Sequence, residues 1–150
     1  MVFVIHNEMQ ILGVEETSDA LDRYPPGCKA TLLPHSPPSL LHIKSNWRVV
    51  DGELVPRIIA STAITPDIAT VGESVTVSVR IYNLLPEEER DAVRFKLGPD
   101  FIEIPLRPDP IVSGCWYGEV TYVPASKGSH VLELYDWPEA DCLLRVLTVV

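Results

Sequence analysis

The sequence has 150 residues, of which 46% are hydrophobic and 22% charged, with 14 prolines and a formal net charge of −9. That length suits one domain, or one domain with a small appended lobe, and is enough to bury a core. The apolar content excludes a disordered chain, and the spread of charge and proline excludes a membrane span. The acidic balance argues against a nucleic-acid partner, which requires clustered Lys and Arg, and the prolines argue against long helices.

The first residues and the cysteines indicate a non-secreted protein. MVFVIHNEMQILGV lacks a basic start and a small-residue cleavage site, so it predicts a strand rather than a targeting peptide. The three cysteines, Cys28, Cys115 and Cys142, have no CxxC spacing and are odd in number, which favours reduced thiols over a zinc knuckle or a disulfide framework. A Cys115–Cys142 disulfide requires that their strands be neighbours.

The residue pattern and the composition of the chain change near residue 57. Residues 1–57 carry short apolar runs broken by Pro and Gly, with five basic and seven acidic side chains, a net charge of −2. Residues 58–150 read as a series of strands and carry seven basic and 14 acidic side chains, a net charge of −7. We therefore predict a small β-rich N-terminal lobe over 1–57 and a β-domain over 58–150.

Within the lobe, strands are predicted at 2–5 and 9–14 around a turn at 6–8. Residues 18–23 predict a short helix that is capped by Thr17 or Ser18 and ended by Pro25.

The remainder of the lobe contains a hairpin and a Pro-rich arm. Residues 47–50 and 53–55 flank Asp51-Gly52, the typical two-residue hairpin loop. The stretch LLPHSPPSLL, at 32–41, predicts a stiff arm over 33–39 that reaches across interfaces with little entropy to lose.

The β-domain shows a clear period of two at 74–82, where Val75, Val77, Val79 and Ile81 share one face. Residues 84–92 predict one helical turn that begins at Pro86. Pro105 indicates an edge strand or a bulge at 102–106. Further strands are predicted at 93–97, 116–123, 130–135 and 142–149. About seven short strands with turns roughly every ten residues predict an all-β fold, an immunoglobulin-like antiparallel β-sandwich, although the Cys…Trp…Cys signature of antibody domains is missing.

Two segments resemble known families. NWRVVDGELVPR, at 46–57, together with the leading strand, YPPG and the Pro-rich stretch, resembles small virion-associated proteins of tailed bacteriophages, in which an aromatic-x-V-x-D-G-E-x-V-x-R hairpin joins a short lobe to an Ig-like module. The closing segment is also similar to filamin-type and bacterial Ig-like repeats with the pattern Y-x-P-x-x-x-G-x-x-x-L-x-V. In that pattern the chain has Tyr122, Pro124, Gly128 and Leu132, with Leu134 in place of the usual Val.

The resemblance implies a structural virion protein, either a capsid decoration (cement) protein or a tail or baseplate accessory, that is assembled in the host cytoplasm. It implies major capsid or tail subunits as partners, a homo-oligomer, and neither catalytic residues nor a cofactor. The alternative is an Ig-like adhesion or carbohydrate-binding module on a cell or particle surface.

A small β-sandwich enzyme is a third hypothesis. Cys115, His130 and Asp136 supply the residue types of a nucleophile, a base and an orienting carboxylate. No GxSxG elbow surrounds any serine. Since a lone Cys and a lone His usually belong to packing or to the surface, structural roles are the favoured interpretation.

Metal and nucleotide sites have little support in the sequence. The four histidines are never at ligand spacing: His6, His35, His42 and His130. Acidic loops at 100–103, 109 and 136–141 can hold calcium if they meet at one end of the sandwich, but a solvated face is favoured. Residues 114–118 bracket aromatics with glycines and do not form a phosphate-binding strand-to-helix turn.

Two further clusters, one of aromatic residues and one of glutamates, are candidates for binding a ligand or a partner. A sugar-binding site would need three aromatic rings on one exposed face. Alternation instead puts Trp116 and Tyr122 on one face of a strand and Tyr117 on the other. This arrangement favours a place for these rings in the core or in a subunit interface. The other two aromatics of this group are Tyr135 and Trp137. Residues 87–91 (EEERD) form an acidic knuckle, for which an exposed loop is favoured over a contact to a basic patch on a partner.

Overall fold

The computed structural model describes residues 2–33 and 40–150. Strands dominate, and most of them pair antiparallel, which confirms the all-β prediction. The chain divides into two compact units, Met1–Arg57 and Ile58–Val150.

The N-terminal lobe contains a three-stranded sheet and a hairpin. The sheet has the order β2-β1-β3, with β1 at Val2–His6, β2 at Ile11–Glu15 and β3 at Lys29–Leu33. A 3₁₀ helix spans Ser18–Arg23 and a short helix, α1, spans Leu40–Asn46; the hairpin consists of β4 (Trp47–Val50) and β5 (Glu53–Pro56). Neither β3 nor α1 was predicted as a separate element.

Local hydrogen bonds determine where the lobe's elements begin. The Asn7 side-chain oxygen accepts the N–H groups of Met9 and Gln10, both at 2.8 Å, so the turn extends to residue 10 and β2 begins later than predicted. Thr17 occupies the cap position of the 3₁₀ helix, but its side chain makes no capping hydrogen bond. The predicted Pro-rich arm lies, apart from the buried Leu33, outside the described residues.

The lobe has its own apolar cluster. Val4, Ile11, Leu33 and Ile43 are buried together. Partly buried hydrophobic residues pack against them from β1, β2 and the hairpin: Val2, Val14, Trp47, Val49 and Leu54.

The predicted Asp-Gly hairpin is present, with Asp51 at φ 51° and Gly52 at φ 78°. Two successive positive φ values define a type I′ turn, which matches the twist of the flanking strands. We expect Gly52→Ala to destabilise the hairpin by about 1 kcal/mol, because an L side chain is strained in this conformation. Amide hydrogen exchange in β4 and β5 should then accelerate about fivefold. Asp51→Asn, which keeps a residue that tolerates positive φ, should leave exchange unchanged; equal rates in wild type and Gly52→Ala would contradict the prediction.

The second unit contains two five-stranded sheets. The first sheet has the order β11-β12-β8-β6-β14, and its strands are Arg107–Pro108, Trp116–Tyr122, Val75–Tyr82, Ile59–Thr65 and Asp141–Cys142. The second sheet has the order β10-β9-β13-β15-β7, and its strands are Asp100–Pro105, Ala92–Leu97, Gly128–Leu134, Arg145–Val149 and Ile68–Ala69.

This strand order is that of an immunoglobulin-like sandwich. In immunoglobulin lettering β6, β8, β12 and β11 occupy the positions of A, B, E and D, and β9, β13 and β15 those of C, F and G. β10 extends the second sheet beside β9, and β7 continues β6 into that sheet, where it pairs parallel to β15.

The inner faces of the two sheets share one hydrophobic core. Along β8 every second side chain is buried, as the sequence predicts. Val77 and Ile81 of the first sheet belong to the same buried cluster as Phe95, Leu132 and Leu147 of the second. Burial of a single face on each sheet explains the period of two.

Of three further predicted elements, two are present in the structure and one is not. The segment with Pro105 forms the edge strand β10, and Pro86 begins the 3₁₀ turn Pro86–Glu88; both predictions are confirmed. The single strand predicted at 142–149 is wrong. The chain leaves the first sheet after β14, passes through Leu143 and Leu144, which are 71% and 70% exposed, and enters the second sheet as β15.

Candidate functional site

Two aromatic side chains point to solvent from the outer face of the second sheet. Phe101 of β10 is 66% exposed, and Tyr135, directly after β13, is 57% exposed. β9 lies between their strands, and the backbone N–H of Tyr135 donates to the Arg94 carbonyl at 3.0 Å. We call Phe101, Tyr135 and Arg94 the aromatic face.

The aromatic face is held in a defined geometry. The two rings meet edge to face, with centroids 5.6 Å apart and an interplanar angle of 87°. The Arg94 guanidinium carbon lies 5.4 Å from the Tyr135 ring centroid, in cation–π range. The three side chains, with Ile102 and Glu103, line a shallow cavity of about 400 Å³.

Asp136 fixes Arg94. One carboxylate oxygen accepts the Arg94 Nε–H at 3.2 Å and Nη2–H at 2.8 Å, and the other accepts the Arg94 backbone N–H at 2.8 Å. Burial raises the pKa of Asp136, but the hydrogen bonds from Arg94 outweigh it and leave the pKa below its ordinary value. The same contact raises the pKa of Arg94. These three hydrogen bonds therefore hold Arg94 in one position.

We expect the Arg94–Asp136 contact to make the free energy of unfolding depend on pH in the acidic range. A carboxylate whose folded pKa is depressed stabilises the fold above its unfolded pKa, near 4, and loses that contribution as pH falls through the folded value. In urea titrations between pH 2 and 7, wild type should lose stability below about pH 4 more steeply than Asp136→Asn, which should be less stable than wild type at pH 7. The exposed Asp67→Asn should follow wild type; parallel pH profiles for Asp136→Asn and wild type would contradict the prediction.

The three candidate catalytic residues have separate partners. Cys115 is buried, with its sulfur 3.6 Å from Arg80 Nη1. The His130 Nε2–H donates to the Ser126 carbonyl at 2.9 Å. Asp136 binds Arg94, so the structure does not bring the three together as a nucleophile, a base and an orienting group.

The metal candidates are also dispersed. His6 is buried, with Nε2 2.7 Å from the Thr31 hydroxyl. His42 lies in α1 and His35 lies outside the described residues. Within 2–33 and 40–150, no group of three or more His, Cys, Asp or Glu side chains is arranged to hold a metal ion.

The acidic loops proposed for calcium are paired separately. Asp100 accepts the Tyr122 hydroxyl at 2.6 Å, and Asp109 binds Arg80 at 2.8 Å. Burial, followed by the contact with Asp100, raises the pKa of Tyr122 to about 12.

The sugar-binding platform does not form from the predicted aromatics. Tyr122 is buried, and the partly buried Trp116 packs against the same core. Trp137 is buried and donates its Nε1–H to the Glu88 carbonyl at 3.2 Å. Tyr117 is half-buried beside two arginines, which leaves Tyr135 as the exposed ring of that group.

Sequence reasoning missed Phe101. A signal is present in the sequence, because Ile102 and Ile104 share one face of a strand, and alternation then places Phe101 on the opposite face. The pairing of Arg94 with Asp136 had no such signal.

The cysteines and the acidic knuckle have structural explanations. All three cysteines are free. In the first sheet β8 and β6 separate the strand after Cys115 from the strand of Cys142, and three strand spacings of about 4.8 Å exceed the reach of a disulfide. In the knuckle, Glu88 accepts the Leu85 N–H at 3.0 Å, whereas Glu87 and Glu89 are exposed.

No helix in the described part of the chain is long and apolar enough to cross a membrane. Comparison with protein-family models and with curated proteins finds no match for this sequence.

Proposed function

We propose that this protein is a non-catalytic structural protein that binds other protein subunits, and that its setting is a bacteriophage virion, as a capsid decoration protein or a tail accessory. The observation that carries the binding proposal is the aromatic face, where Phe101 and Tyr135 are more than half exposed on a sheet. Large exposed aromatic side chains with a neighbouring arginine are typical of interface cores.

The rigidity of the aromatic face favours binding. Arg94 is already held by Asp136, and aromatic side chains have few rotatable bonds, so little conformational entropy is lost on association. Residues of this kind at the centre of an interface contribute about 2 kcal/mol or more each.

Further apolar side chains extend the same outer face. Val146 of β15 is 43% exposed and Ile68 of β7 is 61% exposed. Both lie on the outer side of the second sheet, opposite to the buried Leu147 and Ala69. A partner that covers the sheet from β10 to β7 would bury all of these side chains.

The virion setting is supported by the resemblance of residues 46–57 and by the Ig-like architecture. Many copies on one particle let contacts of modest strength add through avidity. The direct test is mass spectrometry of purified particles from a phage that carries the gene. We expect the chain at a fixed copy number per particle; its presence in the infected-cell lysate but not in particles would overturn the setting.

The role of the aromatic face has a separate test. We expect the double variant Phe101→Ala, Tyr135→Ala to lose at least tenfold in incorporation into particles, while its circular dichroism and melting temperature stay close to wild type. Ile111→Ala, which removes an 89% exposed side chain from another loop, is the matched control. Normal incorporation of the double variant would show that partners bind elsewhere.

A further inference from the structure

The outer face of the first sheet carries a second surface, distinct from the aromatic face. Strand register places Ser61 opposite Arg80, Arg80 opposite Tyr117, and Tyr117 opposite Arg107. Four neighbouring strands therefore present one continuous row with two guanidinium groups and a phenol. We call it the arginine row.

Small side chains make the surface beside the arginine row concave. In the next row, on β6, β8 and β12, the small residues Ala63 and Ser78 lie beside Glu119. Between the two rows lies a cavity of about 550 Å³. That volume is within the range of small-ligand sites, roughly 300 to 1,000 Å³.

Both arginines are oriented by neighbours. The guanidinium carbons of Arg80 and Arg107 lie 5.0 Å and 5.8 Å from the Tyr117 ring centroid. Arg80 also donates through Nη1 to Asp109 at 2.8 Å. The other oxygen of Asp109 accepts the N–H groups of Ile111 and Val112, at 2.8 Å and 3.0 Å, so this carboxylate is itself anchored.

Unlike Arg80, Arg107 has guanidinium N–H groups that are not used in an ion pair within the described part of the chain. It is exposed on the two-residue edge strand β11, and among the described residues no carboxylate pairs with it. Its planar group offers five N–H donors whose fork matches a carboxylate. Stacking on Tyr117 restricts its orientation without using those donors.

We propose that the groove at the arginine row binds a carboxylate-bearing ligand, with Arg107 as the principal donor. Asp109 and Glu119 offset the charges of Arg80 and Arg107, so the field in the groove is weak. Because these opposite charges cancel, the groove offers little net attraction to offset the hydration that a doubly charged phosphate must lose, whereas a singly charged carboxylate loses less hydration and still accepts the paired hydrogen bonds. The proposal is independent of the virion setting.

The test is an NMR titration of the ¹⁵N-labelled full chain with sodium acetate at constant ionic strength. We expect saturable shifts confined to amides of β8, β11 and β12. Arg107→Gln should weaken binding at least tenfold, and Arg107→Lys should give an intermediate value because it keeps the charge but loses the fork. Lys127→Gln removes one positive charge elsewhere and should match wild type.

Several results would overturn the proposal. These are shifts that never saturate, equal binding by wild type and Arg107→Gln, or tighter binding of inorganic phosphate than of acetate. Titration with a blocked tri-glutamate peptide identifies the source of the carboxylate. If the peptide binds at least tenfold more tightly than acetate does, the ligand is an acidic segment of a partner. If the two bind equally, the ligand is a small acid. The Phe101→Ala, Tyr135→Ala variant should bind acetate normally, which separates this site from the aromatic face.

Discussion

Replacing Gly118 by valine is expected to lower the free energy of unfolding of the sandwich by about 3 kcal/mol. Gly118 lies in β12, next to the end of β10 in the other sheet. A Cβ at this position would overlap the Pro105 carbonyl oxygen and lie 3.2 Å from Ile104 Cγ2. The obstacle is backbone, so relief requires the two sheets to move apart. Urea denaturation followed by far-UV circular dichroism measures the loss.

Thr121→Ala is the matched control for Gly118→Val, because Thr121 is an exposed residue of the same strand. We expect it to change stability by less than about 0.5 kcal/mol. A Gly118→Val protein within 1 kcal/mol of wild type would show that β10 and β12 separate easily, contrary to the close packing described above.

Trp137→Ala is expected to destabilise the sandwich by about 3 to 5 kcal/mol. The indole belongs to the main core, its Nε1–H donates to the Glu88 carbonyl, and the Arg90 guanidinium carbon lies 5.9 Å from its centroid. Truncation leaves a cavity and removes the donor to Glu88. The melting temperature should fall by well over 10 °C, given about 4 to 8 °C per kcal/mol for a domain of this size.

Tyr135→Ala provides the contrast, since Tyr135 is two residues away but 57% exposed. It should change stability by about 1 kcal/mol or less. If Trp137→Ala kept wild-type stability and instead lost a ligand, Trp137 would belong to a binding surface, as the carbohydrate-binding hypothesis requires.

The sequence predicts those strands well whose two faces differ. In β8 apolar and polar residues alternate without a break, and Asp51-Gly52 can form few turns other than the hairpin observed. The prediction of one strand at 142–149 was wrong because it rested on apolar content alone. A run of apolar residues indicates extended chain, but periodicity does not show that Leu143 and Leu144 connect two sheets.

The candidate surfaces were less predictable because their members are distant in sequence. Arg94 and Asp136 are 42 residues apart and meet only once β9 and β13 are paired. The arginine row likewise depends on the registers of four strands. Sequence spacing predicts which face of a strand a residue occupies, but the neighbour across the sheet depends on strand order and register.

The parallel pairing at one edge of each sheet has a mechanical consequence. β6 pairs with β14 and β7 with β15, so the first and last strands of the unit run side by side in the same direction. A force that pulls residues 58 and 150 apart acts along these strands and loads their hydrogen bonds together, in shear, rather than opening them one at a time. We therefore expect a higher unfolding force in single-molecule stretching between residues 58 and 150 than along a direction that opens these strands one hydrogen bond at a time.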